Sequence, residues 1–336
     1  MKGIVKHPSF ERGRMALLRA LDTRMRGQII FVTGLSGVGK SEIRYDVMRS
    51  FAGGRNAWGV GKVPVIAVRA TPSSRSTFNS KEFMLRLYLS LFEPDLSWMK
   101  VRDVVTTSDE PHLRMDERLK SPFWMDFRSF RTEHSMRTYV ERMLVARGVR
   151  ALFVDEASSM TFIQERKNPV DHMINCMCLA EEVDLTLVMF GVPRMAALWE
   201  GNAEILRRSR FVFVDRYRYD RPEDRSNFQR LAVTIAGGYK FHRASLVNWS
   251  LDLAYASSAG VFGELQAFYR RADDLRCIDE CESIQKRHIE GALSSESTLL
   301  TLHAEAAQYD SLRDPASPEV VGRVLRSSSG GSDGRR

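Results

Sequence analysis

The sequence predicts an α/β protein: a parallel sheet with helices on both faces, followed by a small all-helical lid. Three observations predict this fold. A short apolar strand runs into a glycine-rich loop and then into a helix within residues 28–51. Further strand-like runs follow at the spacing of repeated βα units, and helical segments without strands occupy the chain after Asp220.

The first strand, Gln28 to Thr33, is a β-branched apolar run that leads into a glycine-rich loop. The loop residues are Gly34, Leu35, Ser36, Gly37, Val38, Gly39, Lys40 and Ser41. With a helix predicted at 42–51, this order is that of a P-loop, whose backbone N–H groups and helix N-terminus surround phosphate. Lys40 is expected to reach the β- and γ-phosphates of ATP, and the Ser41 hydroxyl is expected to bind Mg²⁺. The alternative is an ordinary glycine-rich turn.

An acidic pair follows a second strand, because the apolar run from Val149 to Val154 ends in Asp155 and Glu156. Carboxylates at the C-terminal end of a strand lie where open α/β sheets bind their ligands. We expect Asp155 to hold Mg²⁺ through water and Glu156 to polarise the water that attacks the γ-phosphate. Adjacent Asp and Glu favour hydrolysis over kinase chemistry. The alternative is a surface turn after a buried strand.

Three more strands are predicted at Val63 to Ala70, Leu185 to Gly191 and Phe211 to Asp215. Five parallel strands with the phosphate loop after the first and the acids after the third describe an AAA+ module, a P-loop NTPase. The predicted division is an N-terminal helical segment (1–27), an α/β ATPase core (28–220), a helical lid (221–310) and a disordered tail (311–336). The lid helices are predicted at about 222–236, 243–257, 262–271 and 278–294.

The net charge of +8 is distributed unevenly along the 336 residues. Residues 1–150 hold 27 basic and 15 acidic groups, a net of +12, whereas the remainder has a net of −4. Such asymmetry favours a polyanionic partner for the first half, the alternative being a merely solubilising surface. The acidic segment 244–310, with 11 acids and 5 bases, is expected to face away from DNA.

Composition excludes several classes of protein. With 43% apolar and 27% charged residues, the chain has the profile of a soluble globular protein. Its longest apolar runs are far shorter than the roughly 20 residues of a membrane span, and residues 1–21 contain no secretory signal. The four cysteines, in C-x-C and C-x-x-x-C pairs, are interpreted as reduced structural residues rather than a metal site. A cytoplasmic protein is expected.

The order of four motifs resembles the TniB and TnsC family of AAA+ transposition regulators over residues 7–290. These motifs are His7-Pro8, Thr71-Pro-Ser-Ser-Arg-Ser-Thr-Phe78, Asp155-Glu156 and Phe190-Gly-Val-Pro193. The resemblance implies an ATPase that uses ATP and Mg²⁺ and assembles as a ring or helical filament on duplex DNA. It also implies a transposase that the protein recruits or activates, together with a protein that selects the target site.

Two residues depart from the family pattern. Val192 stands where the family usually has a threonine near the first sensor position, and Glu264 stands where a basic residue commonly follows the lid glycine turn. Neither side chain can stabilise γ-phosphate charge, and Arg270 or Arg271 could substitute only on a rotated helix. Slow hydrolysis is therefore expected.

The arginine cluster 207–210 precedes the fifth strand, where AAA+ proteins place an arginine finger that reaches the neighbouring subunit's γ-phosphate. Arg210 is the first choice, followed by Arg207 and Arg208. The alternative is a basic helix end that complements the helix dipole.

DNA contacts are predicted from hydroxyl and basic residues in two segments of the first half, because such side chains donate to phosphates. The residues are Arg75, Ser76, Thr77, Lys81, Arg128, Arg131, Thr132 and Arg137. The resemblance implies that Thr132, which precedes the helix carrying Arg137, contacts the DNA backbone. The first segment could instead be an ordinary flexible connection. Residues 93–130 are expected to be an insertion between the second and third strands, interpreted as a packed excursion, the alternatives being a subunit interface or a partner surface.

A second functional class stays open beside the transposition regulator. It comprises AAA+ or STAND-type NTPases that act as signalling or defence switches, and replication initiators or helicase loaders, all without a transposase partner. The chain has no repeat array after the lid, which disfavours the STAND alternative.

Overall fold

The computed structural model describes residues 7–23, 25–72, 77–99, 133–163 and 168–329. The strands are β1 (Ile29–Thr33), β2 (Val65–Arg69), β3 (Ala151–Asp155), β4 (Thr186–Gly191) and β5 (Ser209–Phe213). The α-helices of this described part are α1 (Pro8–Asp22), α2 (Lys40–Ala52), α3 (Ser80–Phe92), α4 (Glu133–Arg147), α5 (Pro169–Glu182), α6 (Ala203–Arg208), α7 (Pro222–Ala236), α8 (Ser245–Trp249), α9 (Leu251–Ser258), α10 (Phe262–Ile278), α11 (Lys286–Gly291), α12 (Glu296–Arg313) and α13 (Pro318–Ser329).

The five strands form one parallel sheet in the order β2-β3-β4-β1-β5. Strand β1 lies between β4 and β5, with Phe31 opposite Met189 on one side and Phe211 on the other. Because all strands are parallel, their C-terminal ends share one edge of the sheet. The loop after β1 and the acids after β3 therefore lie on that edge, separated by β4 alone.

Helices cover both faces of the sheet. Ile29 and Phe31 of β1 pack with side chains of α3, α4 and α5, whereas Ile30 and Val32 pack with α1 and α2. A strand buried on both faces reads as a continuous apolar run, which is why these strands are recognisable in the sequence. The predicted α/β fold with a helical C-terminal region is confirmed.

The lid has a core of its own, formed by aromatic and aliphatic side chains of α7, α9, α10 and α11 such as Phe228 and Phe268. Helix α7 matches its predicted bounds, and the segment predicted as one helix at 243–257 is two helices that meet at Ser250. The helix predicted at 278–294 is reduced to α11. The preceding chain leaves the helical conformation at Glu280, whose φ is 53°, and Ile284 forms a bridge to Phe241.

Within the predicted tail (311–336), the described part is largely helical rather than disordered, since α12 continues to Arg313 and α13 occupies 318–329, and residues 330–336 lie outside the described residues. The Ser-, Gly- and Arg-rich composition on which that prediction depended begins only near the end of α13. Helix α12 also differs from a lid helix, because it contacts both the lid and the α/β core. The His303 ring bonds the Ala256 carbonyl of α9 at 2.9 Å, and the Tyr309 hydroxyl donates to the Val214 carbonyl just after β5 at 2.9 Å.

Candidate nucleotide site

The phosphate loop is shaped by its glycines and by Lys40, the first residue of α2. Gly39 caps the helix with a φ of 97°, a conformation that other residues rarely adopt. The Lys40 ammonium donates to the carbonyls of Gly34 and Leu35, both at 2.7 Å. Burial lowers the pKa of Lys40 to about 8, against the opposing influence of Glu156 and Asp155. The lysine is still mainly cationic at neutral pH, as a phosphate-binding residue requires.

The lid touches this loop directly. The Gly263 N–H in the first turn of α10 donates to the Gly37 carbonyl at 2.9 Å. A Cβ at Gly263 would lie 2.9 Å from the Gly37 Cα, so a glycine is needed for this approach. The lid and the phosphate loop are therefore connected through backbone atoms.

A cavity of about 370 Å³ lies between the loop, the end of β4, the acidic pair and α10. Its lining residues are Ser36, Gly37, Gly39, Lys40, Ser41, Glu42, Asp155, Glu156, Phe190, Gly191, Val192, Phe262, Gly263 and Gln266. The predicted Lys40, Ser41, Asp155 and Glu156 are thus brought to one cavity. Their hydroxyl and carboxylate oxygens are hard donors of the kind that Mg²⁺ prefers, beside a lysine suited to phosphate. The donor set fits a magnesium nucleotide.

Each acid of the pair has an arginine partner that the sequence did not indicate. Asp155 Oδ2 accepts from Arg44 Nη1 at 2.8 Å, and Glu156 Oε1 accepts from Arg69 Nη2 at 3.3 Å. Glu156 adopts a φ of 54°, which turns the chain sharply at the end of β3. Arg44 lies four residues after Lys40, on the same face of α2, and this spacing is the one signal that could have found it.

Neither position expected to sense phosphate carries a positive charge, since Val192 is apolar and Glu264 is an acid. Val192 lines the cavity with an apolar side chain, and the lid contributes the amide of Gln266, a residue the sequence analysis missed. Arg271 donates instead to the Ala292 carbonyl at 3.0 Å and to Ser294 at 3.3 Å, both inside the lid. Glu264 is not among the residues that line the cavity, although its neighbour Gly263 is.

Three aromatic rings meet beside the cavity: His7 of the N-terminal segment, Tyr217 of the link to the lid, and Phe262, which lines the cavity. The His7 ring stacks on Phe262 with centroids 5.2 Å apart, and the Tyr217 hydroxyl lies 3.0 Å from His7 Nδ1. Burial lowers the pKa of His7 to about 4 and raises the pKa of Tyr217 to about 12. At neutral pH this hydrogen bond therefore joins an uncharged histidine and an uncharged tyrosine. This junction fixes Phe262, which lines the cavity.

The arginines of the 207–210 cluster differ in their contacts. Arg210 donates to the Thr23 hydroxyl, and Arg208 pairs with Glu181 at 2.9 Å and with Glu204 at 3.7 Å. Arg207 is exposed on α6 and has no ion pair within the described part of the chain. Among the described residues, Arg207 is therefore the least engaged of the three, and the first-choice Arg210 is held by one exposed hydrogen bond.

The predicted DNA contacts are only partly described. Arg75, Ser76, Arg128, Arg131 and Thr132 lie outside the described residues, as does most of the predicted 93–130 excursion. Among the others, Thr77 is half-buried and Lys81 is exposed at the start of α3. Arg137 already pairs with Glu141 at 2.7 Å and with Glu182 at 3.1 Å, which weakens its case as a phosphate contact.

All four cysteines are free thiols, and Cys281 lies close to Asp279 and His288, with ligand atoms within 4.8 Å of one another. The Gln285 N–H donates to His288 Nδ1 at 3.0 Å, so the proton of the neutral ring resides on Nε2, which faces Asp279 at 3.1 Å. A protonated Nε2 is not a metal ligand. This geometry supports a structural role for the cluster.

Among the described helices, none is both long and apolar enough to cross a membrane. Three solved structures illustrate the fold. The Aeropyrum pernix ORC1 protein in complex with DNA matches 86% of this chain and 65% of its own, with 14% identity and a TM-score of 0.51. Drosophila ORC bound to DNA matches 98% of this chain and 80% of its own, with 14% identity and a TM-score of 0.52. The Aeropyrum pernix ORC2 protein matches 87% of this chain and 69% of its own, with 11% identity and a TM-score of 0.51.

The chain thus spans just under two thirds of the length of the ORC1 protein, and at these identities the likeness concerns the fold. No curated protein matches the sequence. A family model described as an AAA domain matches residues 23–198, which hold the phosphate loop, the acidic pair and the strands β1 to β4. The chain therefore belongs to the AAA domain family and is an ATPase with ATP and Mg²⁺ as its cofactors.

Proposed function

We propose that the chain is an ATP-dependent, DNA-binding regulator of DNA transposition of the TniB/TnsC type. In this proposal it acts in the cytoplasm, assembles as a ring or filament on duplex DNA, and recruits or activates a transposase. A target-site selector is a further partner, and ATP hydrolysis controls disassembly. The motif order supports the transposition role, and the net charge of +12 in residues 1–150 supports the DNA partner.

The observation that carries the proposal is the placement of Arg207. It lies in the last turn of α6, just before β5 enters the sheet, whereas the nucleotide cavity lies at the opposite, C-terminal ends of the strands. Five residues of strand span about 16 Å, more than an arginine side chain covers. Arg207 therefore cannot serve the cavity of its own chain, and its free guanidinium suits the cavity of a neighbouring copy. A site completed in this way hydrolyses ATP only when the protein is assembled.

Within one cavity the proposed roles follow the geometry. Lys40 neutralises phosphate, Ser41 and Asp155 hold Mg²⁺, and Glu156 orients the attacking water. Val192 and Gln266 supply no positive charge, so transition-state stabilisation depends on the arginine of the neighbour. Slow ATP turnover by the isolated chain follows. This suits a protein whose ATP-bound assembly recruits or activates the transposase.

Electron microscopy with duplex DNA and a non-hydrolysable ATP analogue tests the assembly. We expect rings or filaments with DNA and nucleotide together, and DNA binding that weakens steeply with salt because it depends on phosphate contacts. Monomers under these conditions, or an affinity insensitive to salt, would contradict the proposal.

A three-variant comparison tests the finger. Arg207→Ala is expected to lower assembled ATPase turnover by about 10³-fold, the scale of an arginine finger, while nucleotide binding is kept. Arg208→Ala and Arg210→Ala, whose parent side chains have partners within the chain, are expected to stay close to wild type. If Arg210→Ala loses turnover and Arg207→Ala does not, the assignment reverts to Arg210.

A replication initiator or helicase loader is the second candidate, because two of the similar structures are ORC proteins with DNA. The reading frame next to this gene and a strand-transfer assay separate the two candidates. A transposase encoded there, whose strand transfer depends on this protein and ATP, supports regulation of transposition. Sequence-specific DNA binding without any effect on a transposase supports the initiator.

A further inference from the structure

Arg44 and Asp155 form the least exposed ion pair at the nucleotide cavity. The two side chains are only 11% and 20% exposed, and the Arg44 guanidinium lies 4.7 Å from the centre of the Tyr45 ring. Asp155 Oδ1 accepts the Glu156 N–H at 3.1 Å, and Oδ2 accepts from Arg44 at 2.8 Å. Both oxygens of the carboxylate assigned to Mg²⁺ are thus in use within the chain.

The pair is built differently from the structural ion pairs of this protein. Arg216 binds Asp310 through two nitrogens and uses its third on the Tyr255 hydroxyl and the Ala259 carbonyl. Arg44 reaches Asp155 through one nitrogen, and its buried Nε has no hydrogen-bond partner among the described residues. Since a buried N–H without a partner is unfavourable, this position is stabilised mainly by the one ionic contact. Such a contact can be exchanged for another.

We propose that Arg44 is an internal competitor of Mg²⁺ at Asp155. The guanidinium and Mg²⁺, which Asp155 is expected to hold through water, are both cations attracted to this carboxylate, so magnesium nucleotide binds more readily when Arg44 moves off Oδ2. Arg44 thereby raises the Mg²⁺ concentration at which the site fills. The inference rests on the proposed role of Asp155 as the magnesium carboxylate. It assigns Arg44 as a positioning residue that sets a metal threshold for nucleotide loading.

Binding of a fluorescent, non-hydrolysable ATP analogue, titrated with Mg²⁺ at fixed nucleotide, tests the inference without reference to turnover. Arg44→Gln is expected to lower the half-saturating Mg²⁺ concentration by about fivefold or more, the low end of typical coupling between sites. Arg44→Lys, which keeps the charge, is expected to stay closer to wild type. Arg49→Gln is the matched control, because Arg49 lies on the same helix and pairs at 3.5 Å with Asp46, away from the acidic pair.

Thermal unfolding in EDTA supplies a second readout. Arg44→Gln is expected to unfold at a lower temperature than wild type, because Asp155 then has a largely buried charge without its counter-ion. Added Mg²⁺ is expected to narrow this difference. Equal midpoints in EDTA would contradict the contact itself.

Asp155→Asn distinguishes a failure of the magnesium role proposed for Asp155 from a failure of the competition proposed for Arg44. If it raises the Mg²⁺ requirement while Arg44→Gln leaves that requirement unchanged or raises it, the magnesium site stands and the competition is overturned. If Asp155→Asn leaves the requirement unchanged, the assignment of Asp155 is wrong and the inference falls with it.

Discussion

Arginine–carboxylate pairs occur in two regions of this molecule, and they are built for different purposes. At the nucleotide cavity, Arg44 and Arg69 each touch an acid through a single nitrogen. At the junction of α12 with the core, each arginine donates through two nitrogens to one aspartate: Arg216 to Asp310 and Arg313 to Asp215. Single contacts leave the acids free for exchange, whereas paired contacts fix the geometry of a helix against the sheet.

The α12 junction also has a denser network. Asp310 accepts from Arg216 at 2.6 Å and lies 3.7 Å from Arg218, which in turn binds Asp314 at 2.5 Å. Tyr309, fully buried beside them, anchors the helix to the carbonyl after β5. We therefore expect the cavity pairs to serve chemistry, with a contribution to stability only from the little-exposed Arg44–Asp155 pair, and the junction to serve stability without chemistry. We call the second region the α12 clamp, defined by Arg216, Arg218, Tyr309, Asp310 and Arg313.

The largest expected effect is on turnover, through Glu156→Gln. Glutamine keeps the size of the side chain but cannot polarise water as a carboxylate does, so ATPase turnover should fall about 10²- to 10⁴-fold. Nucleotide binding and the unfolding midpoint should stay near wild type, because the exposed Arg69 pair contributes at most about 1 kcal/mol. Steady-state hydrolysis together with thermal unfolding measures both. A variant that unfolds markedly earlier would show that the acid has a structural role as well.

The opposite pattern is expected from Arg216→Met in the α12 clamp. Removing the guanidinium leaves Asp310, 15% exposed, without its main partner, and should cost about 3 kcal/mol of unfolding free energy. Urea denaturation measures the loss, and nucleotide binding at low temperature should be retained. Arg207→Met is the matched control, because Arg207 is exposed and forms no ion pair with the described residues. If Arg216→Met and Arg207→Met had equal unfolding free energies, the α12 clamp would not be the source of stability that we expect.

Local sequence patterns predicted those features that a short segment of chain determines by itself, namely the buried strands and the phosphate loop. Strands buried on both faces are continuous apolar runs, and Lys40 and Ser41 follow from the loop beside them. The Arg44–Asp155 contact depends on the sheet order, which places the ends of β1 and β3 one strand apart, and no local pattern encodes that order. The prediction of disorder for residues 311–329 was wrong because it was drawn from the polar, low-complexity residues near the end of the chain. Helix α13 begins before them and contains Val320 and Val321.

The smallest expected effect concerns His7, which lies between the two regions and is only 7% exposed. Because burial lowers its pKa in the folded protein from 6.5 to about 4, the unfolded chain binds the proton more readily. The contribution of His7 to stability is therefore fully present above pH 6.5 and is lost as the pH falls toward 4. The slope should be about 1 kcal/mol per pH unit in that range.

Urea denaturation between pH 7 and pH 4.5 measures this slope. His7→Gln should remove most of the His7 contribution, whereas His303→Gln, at an exposed position on α12, should keep the wild-type slope. Since His7 stacks on Phe262 at the cavity, acid should also weaken nucleotide binding before the α12 clamp opens. The clamp arginines do not titrate in this range, so simultaneous loss of binding and of the whole fold would mean that the two regions are not separable.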